Sequence, residues 1–217
     1  MTGAGQTFEP RLEVLPPAQL ALWPDLPTMP EGFVLYGGTA VALQLGHRTS
    51  VDFDFFGFPH FAPDKLQTAI PWLQGARTLQ KDASKLTCQV DRAGPVMISF
   101  FGVPALGRVR PPVIASDTGL PTADLLDLAG AKAAVVQKRA EAKDYIDLDA
   151  LFSAGITLDQ ALAAARQLYG SGLNPEISLK ALSWFGDGNL AELPLETRRR
   201  IVEAVQSVDL DNLPDLA

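Results

Sequence analysis

Apolar residues in the first half of the chain occur in short runs that have the length and spacing of β-strands. These runs cover 33–36, 51–58, 78–81, 85–90 and 96–101. Helical spacing covers 39–45, between the first two runs, and 63–73, after the second. Short apolar runs bounded by glycine, proline or polar residues predict strands, and i, i+3, i+4 spacing predicts helices. The pattern therefore predicts that the first half is mixed α/β.

From Thr122 onward the apolar spacing is almost entirely helical. The predicted helices cover 122–138, 142–153, 158–169, 175–185 and 196–208. A change of composition near Ile114, after a pair of prolines, marks the boundary between the two patterns. The sequence thus predicts an α+β protein, with a small mixed-sheet domain at 1–115 followed by a helical domain at 116–217.

The N-terminal segment and the single cysteine bear on the class of protein. Residues 1–30 are rich in proline, which predicts a wrap around the first domain with at most a short helix at 18–23. The start of the chain lacks an apolar core behind basic residues, and no window approaches 18 uninterrupted apolar residues, so we expect neither secretion nor membrane spanning. Cys88 has no cysteine to pair with, which favours a reducing cytoplasm.

The charge of the chain limits its partners. Its 217 residues are 47% hydrophobic and carry a net charge of −7, which disfavours a protein that coats nucleic acid in general. A local basic patch is one reading of six bases between 108 and 143, and a solvated helix surface is the other. These bases are Arg108, Arg110, Lys132, Lys138, Arg139 and Lys143.

Two aspartates share one face of the second predicted strand. Alternate residues of a strand point to the same side, so Asp52 and Asp54 lie on one face and Phe53 lies on the other. Adjacent carboxylates repel each other unless a cation lies between them. Hard oxygen ligands with open positions for phosphate suit Mg²⁺ better than zinc. The pair therefore predicts a magnesium site.

A glycine turn precedes the first predicted helix. A helix that begins near Thr39 directs backbone N–H groups and the positive end of its dipole at an anion. Gly37 and Gly38 would let a triphosphate approach the backbone, and Thr39 and Ser50 could donate hydroxyl hydrogen bonds to it. Arg48 could reach a phosphate or could pair with the two aspartates.

These motifs together resemble the signature of a known family. The segments 37–43 (GGTAVAL) and 47–56 (HRTSVDFDFF) are similar to the AbiEii/AbiGii toxin family, a branch of the DNA-polymerase-beta-like nucleotidyltransferases. Later segments at 127–134 and 143–152 match in the same order, so the resemblance spans about 33–153. It implies a nucleotidyltransferase-like first domain and Mg²⁺-dependent transfer of a nucleoside monophosphate from an NTP, by toxins that modify the 3′ end of tRNA.

The resemblance also implies roles for single residues. The implied roles are metal binding at Asp52 and Asp54, triphosphate binding at Gly38 and Ser50, phosphate contact at Lys132 and completion of the active site at Asp144. No general base is assigned by it, and Asp144 is the candidate.

The helical motifs have an interpretation of their own. Lys132 falls on the apolar stripe of its helix, where a lysine requires an anion, although it could also extend to solvent or pair with a structural carboxylate. Asp144 and Asp147 share the inward side of the next helix, although acids in a first turn are also favoured by the helix dipole. We expect a site role for Asp144 and a supporting or helix-start role for Asp147.

One departure from the wider superfamily concerns a third carboxylate. Many of its members place that group on a later strand, but the run 96–101 offers Ser99 as its polar side chain, and Asp91 stands at a turn where a structural role is expected. If no third acid is supplied, Asp144 must serve, or one Mg²⁺ is held, or nucleotide binds without turnover.

The leading hypothesis from the sequence is a nucleotidyltransferase that uses Mg²⁺ and an NTP, with tRNA as acceptor and an antitoxin protein as partner. Two alternatives stay open. The acceptor could be a small molecule or a protein, which the acidic composition favours, or the protein could bind nucleotide without catalysis. The sequence does not identify the nucleotide, the oligomeric state or a role for 175–217.

Overall fold

The computed structural model describes residues 5–57, 61–103 and 106–216. The chain divides into two compact units, one formed by 1–106 with 111–123 and one formed by 107–110 with 124–217. The expected boundary after 115 differs from this division, because two short strands at 113–122 belong to the sheet of the first unit.

In the described part of the chain, eight strands form one mixed sheet in the first unit. In chain order they are β1 (Thr7–Phe8), β2 (Phe33–Tyr36), β3 (Asp52–Gly57), β4 (Arg77–Lys81), β5 (Lys85–Asp91), β6 (Pro95–Gly102), β7 (Val113–Ala115) and β8 (Pro121–Thr122). Their order across the sheet is β1-β7-β8-β2-β3-β6-β5-β4. β2 runs antiparallel to β3, β3 runs parallel to β6, and β6, β5 and β4 are antiparallel neighbours.

The helices of the first unit are short. They are α1 (Pro17–Leu22), α2 (Gly37–Leu45) and α3 (Pro63–Ala69), with 3₁₀ turns at Leu12–Val14, Trp23–Thr28 and Pro71–Leu73. The five predicted strands and both predicted helices are confirmed, with ends that differ by at most four residues, and Phe58 lies outside the described residues. β1, β7 and β8 were missed, because pieces of two or three residues are too short to show alternation.

The core of the first unit lies on one face of the sheet. Phe53 and Phe55 of β3 are fully buried there, and rings stack from Trp23 onto Phe53 and from Trp72 onto Phe100. The N-terminal segment therefore covers this face, as the proline-rich start predicted. Cys88 is buried on the same face, where burial raises the pKa of its thiol and a hydrogen bond with Thr78 partly opposes this.

The second unit is helical among its described residues. It contains α4 (Leu125–Val135), α5 (Ala142–Ser153), α6 (Leu158–Tyr169), α7 (Pro175–Leu182) and α8 (Leu195–Gln206), with 3₁₀ turns at Gly170–Gly172, Leu190–Glu192 and Leu210–Asn212. All five predicted helices are present. The first begins at Leu125, after Asp124 accepts a hydrogen bond from the Leu126 amide as its N-cap, so it is shorter than 122–138.

Two buried contacts connect these helices. A carboxylate of α5, Asp149, accepts a bidentate pair from Arg200 of α8 at 2.6 and 2.5 Å and a bond from Thr197 at 2.9 Å. On α4, Gly130 approaches α6 so closely that a Cβ would lie 2.8 Å from the amide nitrogen of Ala165. None of the helices built from described residues is long and apolar enough to cross a membrane.

We expect Gly130→Ala to destabilise the protein, although alanine normally favours a helix over glycine. The added methyl group meets backbone atoms that cannot rotate away, and overpacking of this kind costs about 1–3 kcal/mol. The free energy of unfolding in urea measures the effect. Gly172→Ala is the control, since nothing lies within 4 Å of that position. Equal stability of the two variants would contradict the packing described.

Candidate active site

The two aspartates of β3 share the face of the sheet opposite the core. Asp52 and Asp54 are half-buried, while Phe53 and Phe55 are buried on the other side. The predicted separation of faces is therefore confirmed. In the sheet, Asp54 stands opposite Tyr36 of β2 on one side and Ser99 of β6 on the other.

The glycine turn reaches the second of these carboxylates directly. β2 ends at Tyr36, and α2 begins at Gly37, whose φ of 72° lies in the left-handed region. A Cβ at Gly37 would lie 2.6 Å from Oδ2 of Asp54. The helix thus begins two residues before the expected start at Thr39, and Tyr36 gives its N-terminus no side-chain cap. Gly37 and Gly38 form the first two residues of this uncapped end.

The hydroxyl groups of Thr39 and Ser50 connect α2 to β3. Both side chains are buried, and their oxygens lie 2.7 Å apart. The Thr39 hydroxyl also donates to the carbonyl oxygen of Asp52. These contacts fix the point at which Asp52 enters the strand. Arg48 lies in the same connection, half-buried, and donates to the carbonyl oxygen of Thr49 at 3.0 Å.

The position beside Asp54 on β6 carries a hydroxyl in place of a carboxylate. Ser99 is buried there, and its oxygen lies 3.2 Å from that of Thr87 on β5. Asp91 caps a turn instead, accepting from the Gly94 amide at 3.0 Å, as expected. Within 5–57, 61–103 and 106–216, no three or more His, Cys, Asp or Glu residues group as metal ligands. The first unit therefore offers two carboxylates at the site.

A buried ion cluster occupies the second unit. Nζ of Lys132 on α4 lies 2.7 Å from Oδ1 of Asp144 and 2.6 Å from Oδ2 of Asp147, both on α5. Arg139, from the loop between the helices, binds Asp144 through two nitrogens at 2.8 and 3.1 Å. The two aspartates are fully buried. The inward positions predicted for Lys132, Asp144 and Asp147 are confirmed, and Arg139 is the member that sequence reasoning missed.

Opposite charges dominate the electrostatics of Asp144. Burial alone would raise the pKa of its carboxyl, but hydrogen bonds from Arg139 and Lys132 and their positive charges hold that pKa below its usual range. Asp127 on α4 behaves in the opposite way. Its buried carboxylate accepts from the amides of Val109 and Arg110 at 3.1 and 2.9 Å, yet burial leaves its pKa raised.

The basic stretch of the second unit is largely paired with acids. Lys132 is buried in the ion cluster, Arg139 binds Asp144, and Lys143 lies 3.0 Å from Glu141. Three of the six bases that the sequence left open as a patch are therefore paired with acids. Arg108 and Arg110 lie in the loop that Asp127 holds.

Comparison with known proteins identifies the family. Residues 25–215 match the family described as nucleotidyl transferase AbiEii toxin of type IV toxin–antitoxin systems. The chain belongs to the AbiEii family. This confirms the resemblance drawn from the two motifs.

Two solved structures share the fold of the chain. MenT4, a nucleotidyltransferase toxin from Mycobacterium tuberculosis H37Rv, has a TM-score of 0.57 at 15% identity and covers 89% of this chain and 86% of its own. A structure from H. pylori, assigned as a nucleotidyltransferase, has a TM-score of 0.52 at 20% identity, with coverage of 86% and 89%. Both likenesses confirm the predicted fold class.

A curated relative from Aquifex aeolicus (strain VF5), an uncharacterized protein, is 34% identical over 118 residues. The match covers 54% of this chain and about half, 55%, of the relative's length.

The residues of the first unit fit the divalent metal that nucleotidyltransferases generally use. Two half-buried carboxylates on one strand face supply the hard oxygen donors that Mg²⁺ prefers. The absence of a side chain at Gly37 preserves the space around Oδ2 of Asp54. Asp52 and Asp54 are therefore the residues that would hold the ion.

We expect Gly37→Ala to cost more stability than a comparable change elsewhere. Both Gly37 and Gly75 have positive φ, 72° and 78°, but nothing lies within 4 Å of Gly75. Gly75→Ala therefore measures the backbone cost alone, about 1–2 kcal/mol. The excess at Gly37 should become much smaller when Asp54→Ala is added, because the carboxyl group is removed and only the Cβ at 3.3 Å remains, as a double-mutant cycle in urea would show. An undiminished excess in the double variant would contradict the contact.

Loss of the central lysine should destabilise the second unit strongly. Lys132→Met leaves two buried carboxylates without their shared cation, which costs about 3–5 kcal/mol. The control is Lys143→Met on α5, whose half-exposed ion pair with Glu141 is worth about 1 kcal/mol or less. Equal losses in thermal unfolding would contradict the assigned cluster.

The lowered pKa of Asp144 predicts a pH dependence. A carboxyl with a folded-state pKa below the unfolded value of about 3.9 stabilises the fold above that value and loses this contribution as pH falls through the folded pKa. The stability difference between the wild type and Asp144→Asn should therefore be large at pH 7 and shrink below about pH 4. Urea unfolding at both pH values measures it. A constant difference would contradict the prediction.

Proposed function

We propose that this protein transfers a nucleoside monophosphate from a Mg²⁺-bound NTP to an acceptor hydroxyl, as the toxin of a toxin–antitoxin pair in the cytoplasm. The observation that carries the proposal is the contact between the start of α2 and the carboxylate pair of β3. A helix end suited to phosphate and two ligands suited to Mg²⁺ lie side by side, in a chain of the AbiEii family.

Each part of the first unit has a task in this reaction. The uncapped amides at Gly37 and Gly38 would receive the triphosphate, and Asp52 and Asp54 would hold the ion. When bound, the metal neutralises charge on the phosphate oxygens. The sequence predicted that Thr39 and Ser50 bind nucleotide. Their hydroxyl contact, together with the bond from Thr39 to the Asp52 carbonyl oxygen, supports a further role in positioning Asp52.

The transfer itself is an in-line displacement at the α-phosphorus. The acceptor oxygen forms a bond to that phosphorus, the bond to the bridging oxygen of the β-phosphate breaks, and pyrophosphate leaves. The acceptor hydroxyl gives up its proton. Asp144, the candidate base from the sequence, is fully buried and paired with Lys132 and Arg139, which hold its pKa low, so its geometry does not favour it as the acceptor of that proton. Arg48 is the proposed additional phosphate contact near the two aspartates.

Lys132 and Asp144 are proposed as the contribution of the helical unit. The family motif assigns Lys132 a phosphate contact, and the ion cluster supports a fixed position for it between Asp144 and Asp147. Arg139 binds both oxygens of Asp144, so that carboxylate has a second cation besides Lys132.

The proposed acceptor is the 3′ end of tRNA, and the proposed partner is an antitoxin protein. Another acceptor and nucleotide binding without catalysis are the two alternatives. Transfer to a small molecule or a protein keeps the same site, and the net charge of −7 favours it over RNA. Nucleotide binding without turnover is favoured by the absence of a third carboxylate next to Asp54, where β6 supplies Ser99 and the next strand, β5, supplies Thr87.

Label transfer tests the proposal directly. We expect purified protein, Mg²⁺ and one of four α-³²P-labelled NTPs to label bulk tRNA. Asp52→Asn should reduce the rate by about a hundredfold or more, because charge stabilisation of this kind is worth that much. The control is Glu31→Gln, which removes an exposed acid of the same unit.

Each result points to one of the candidates. Equal labelling by Asp52→Asn would contradict the assigned metal site. If RNA stays unlabelled, labelling of a small molecule or protein would replace the acceptor. Pyrophosphate release with no acceptor, or NTP binding with no release, would contradict the transfer.

A further inference from the structure

The connection between α2 and β3 is held by the N-terminal segment of the chain. Two backbone hydrogen bonds join them, from the Arg11 amide to the Leu43 carbonyl oxygen at 2.8 Å and from the Ser50 amide to the Val14 carbonyl oxygen at 3.2 Å. A third bond comes from a side chain, because Nε2 of Gln19 on α1 donates to the carbonyl oxygen of Val51 at 2.6 Å. The next residue is Asp52, so this segment reaches the backbone beside the first carboxylate.

The sheet itself holds Asp52 on one side. β3 pairs with β6 from Asp52 onward, whereas its pairing with β2 ends at the pair formed by Tyr36 and Asp54. β2 ends there because the chain turns at Gly37 into α2. Asp54 therefore has a strand neighbour on both sides, while Asp52 has its strand neighbour on the β6 side. The position of the Asp52 backbone thus depends also on contacts from outside the sheet.

The two peptide groups that flank the Cα atom of Asp52 are each held by a side chain. Gln19 binds the carbonyl oxygen of the preceding group, which joins Val51 to Asp52, and Thr39 binds the carbonyl oxygen of the following group. Because each peptide group is planar, fixing both groups fixes the φ and ψ angles of Asp52. These angles set the direction of its Cα–Cβ bond, and with it the direction in which the carboxylate leaves the strand.

Burial makes the bond from Gln19 a strong constraint. The Gln19 side chain is 5% exposed, and a buried amide that loses its partner is costly, so the donor keeps to the Val51 carbonyl oxygen. The Val51 side chain is 51% exposed, and Val51 precedes the first residue of β3. The bond from Gln19 therefore supplies what side-chain packing and strand pairing do not supply at this peptide group.

The helix that carries Gln19 is itself anchored to the first unit. Leu22 of α1 is fully buried, and Trp23, directly after the helix, stacks on Phe53 of β3 with 6.3 Å between the ring centroids. The indole N–H of Trp23 also donates to Asp117 at 2.8 Å. A side chain that starts from a helix packed in this way has a fixed distance to β3, so its bond can define the position of the strand end.

We propose that Gln19 is a positioning residue for the proposed metal ligand Asp52. It holds the carboxylate where Asp52 and Asp54 bind a divalent cation together, and Thr39 does the same from the other peptide group. The inference rests on the proposed function and deepens it, because it adds the N-terminal segment to the metal site. Gln19 lies before residue 25, where the match to the AbiEii family begins, so it stands outside the residues that the family match covers.

Metal affinity tests this role without turnover. The probe is Mn²⁺ alone, which takes the same oxygen donors as Mg²⁺, and the electron paramagnetic resonance signal of the free ion measures how much is bound. Gln19→Met keeps the length of the side chain and removes the donor. It should weaken Mn²⁺ binding about tenfold, which is the scale on which contacts behind metal ligands act. Asp52→Asn, which alters the ligand itself, should weaken it at least as strongly.

A matched variant separates positioning from loss of stability. Gln67 of α3, in the same unit, also donates from Nε2 to a backbone carbonyl oxygen, that of Ala76 at 3.0 Å. Gln67→Met should lower the free energy of unfolding in urea and leave Mn²⁺ affinity unchanged. Gln19→Asn is a second variant at the proposed position. Its amide is one methylene too short for the contact, so it should weaken Mn²⁺ binding as Gln19→Met does. All variants are compared in buffer in which circular dichroism shows them folded.

A double variant tests whether Gln19 acts through Asp52. In the Asp52→Asn background, adding Gln19→Met should cause little further loss of Mn²⁺ affinity, because the ligand that Gln19 positions has lost its charge. An equal loss in both backgrounds would assign the effect to the fold as a whole and would overturn the proposal.

The outcomes distinguish this role from the proposed function. Mn²⁺ binding that is lost in Asp52→Asn but retained in both Gln19 variants would overturn the positioning role and leave the metal site in place. Absent or equal binding by the wild type and Asp52→Asn would overturn the metal site and the positioning role with it. The expected binding pattern without label transfer to any acceptor would retain the positioning role and contradict the proposed transfer.

Discussion

At Gly37 the chain turns from β2 into α2 at a distance from the Asp54 carboxylate that leaves no room for a Cβ atom. Because β2 is the antiparallel neighbour of β3, the sheet itself places the start of the helix beside the carboxylate pair. The contacts of the Thr39 hydroxyl with Ser50 and with the backbone carbonyl of Asp52 fix Asp52 relative to the same helix start. The proposed chemistry depends on this approach, since it joins a helix N-terminus and two hard oxygen ligands in one place.

The second unit is organised around buried charge. Lys132 and Arg139 offset Asp144 and Asp147, so the cluster has as many cations as carboxylates. Removing any one member leaves a charge uncompensated in a buried site. The cluster thus ties α4 to α5 through charges that only each other can neutralise.

Sequence reasoning recovered the parts of the fold that depend on local pattern. Helices α5 and α6 begin and end where the spacing predicted, and β2 matches its apolar run. The division of faces along β3 followed from strict alternation. The start of α2 was placed two residues late, because glycine has no preference that identifies it as the first residue of a helix.

What the sequence did not show depends on contacts between distant segments. The strands β7 and β8 exist because they pair with β1 and β2, and nothing in two or three residues indicates such pairing. Arg139 lies in a loop, so helical spacing gave no reason to place it on Asp144. Gln19 lies 32 residues before Val51, so no local pattern indicated the bond between them.

The central claim is that Asp52 and Asp54 hold a divalent cation together with a triphosphate at the start of α2. Calorimetric titration of the protein with a non-hydrolysable NTP analogue, in Mg²⁺ and in EDTA, tests it most directly. The account predicts binding in Mg²⁺ that is lost in EDTA and in the variant with both aspartates changed to asparagine. Equal affinity in all three cases would show that the nucleotide binds without these carboxylates and would contradict the account.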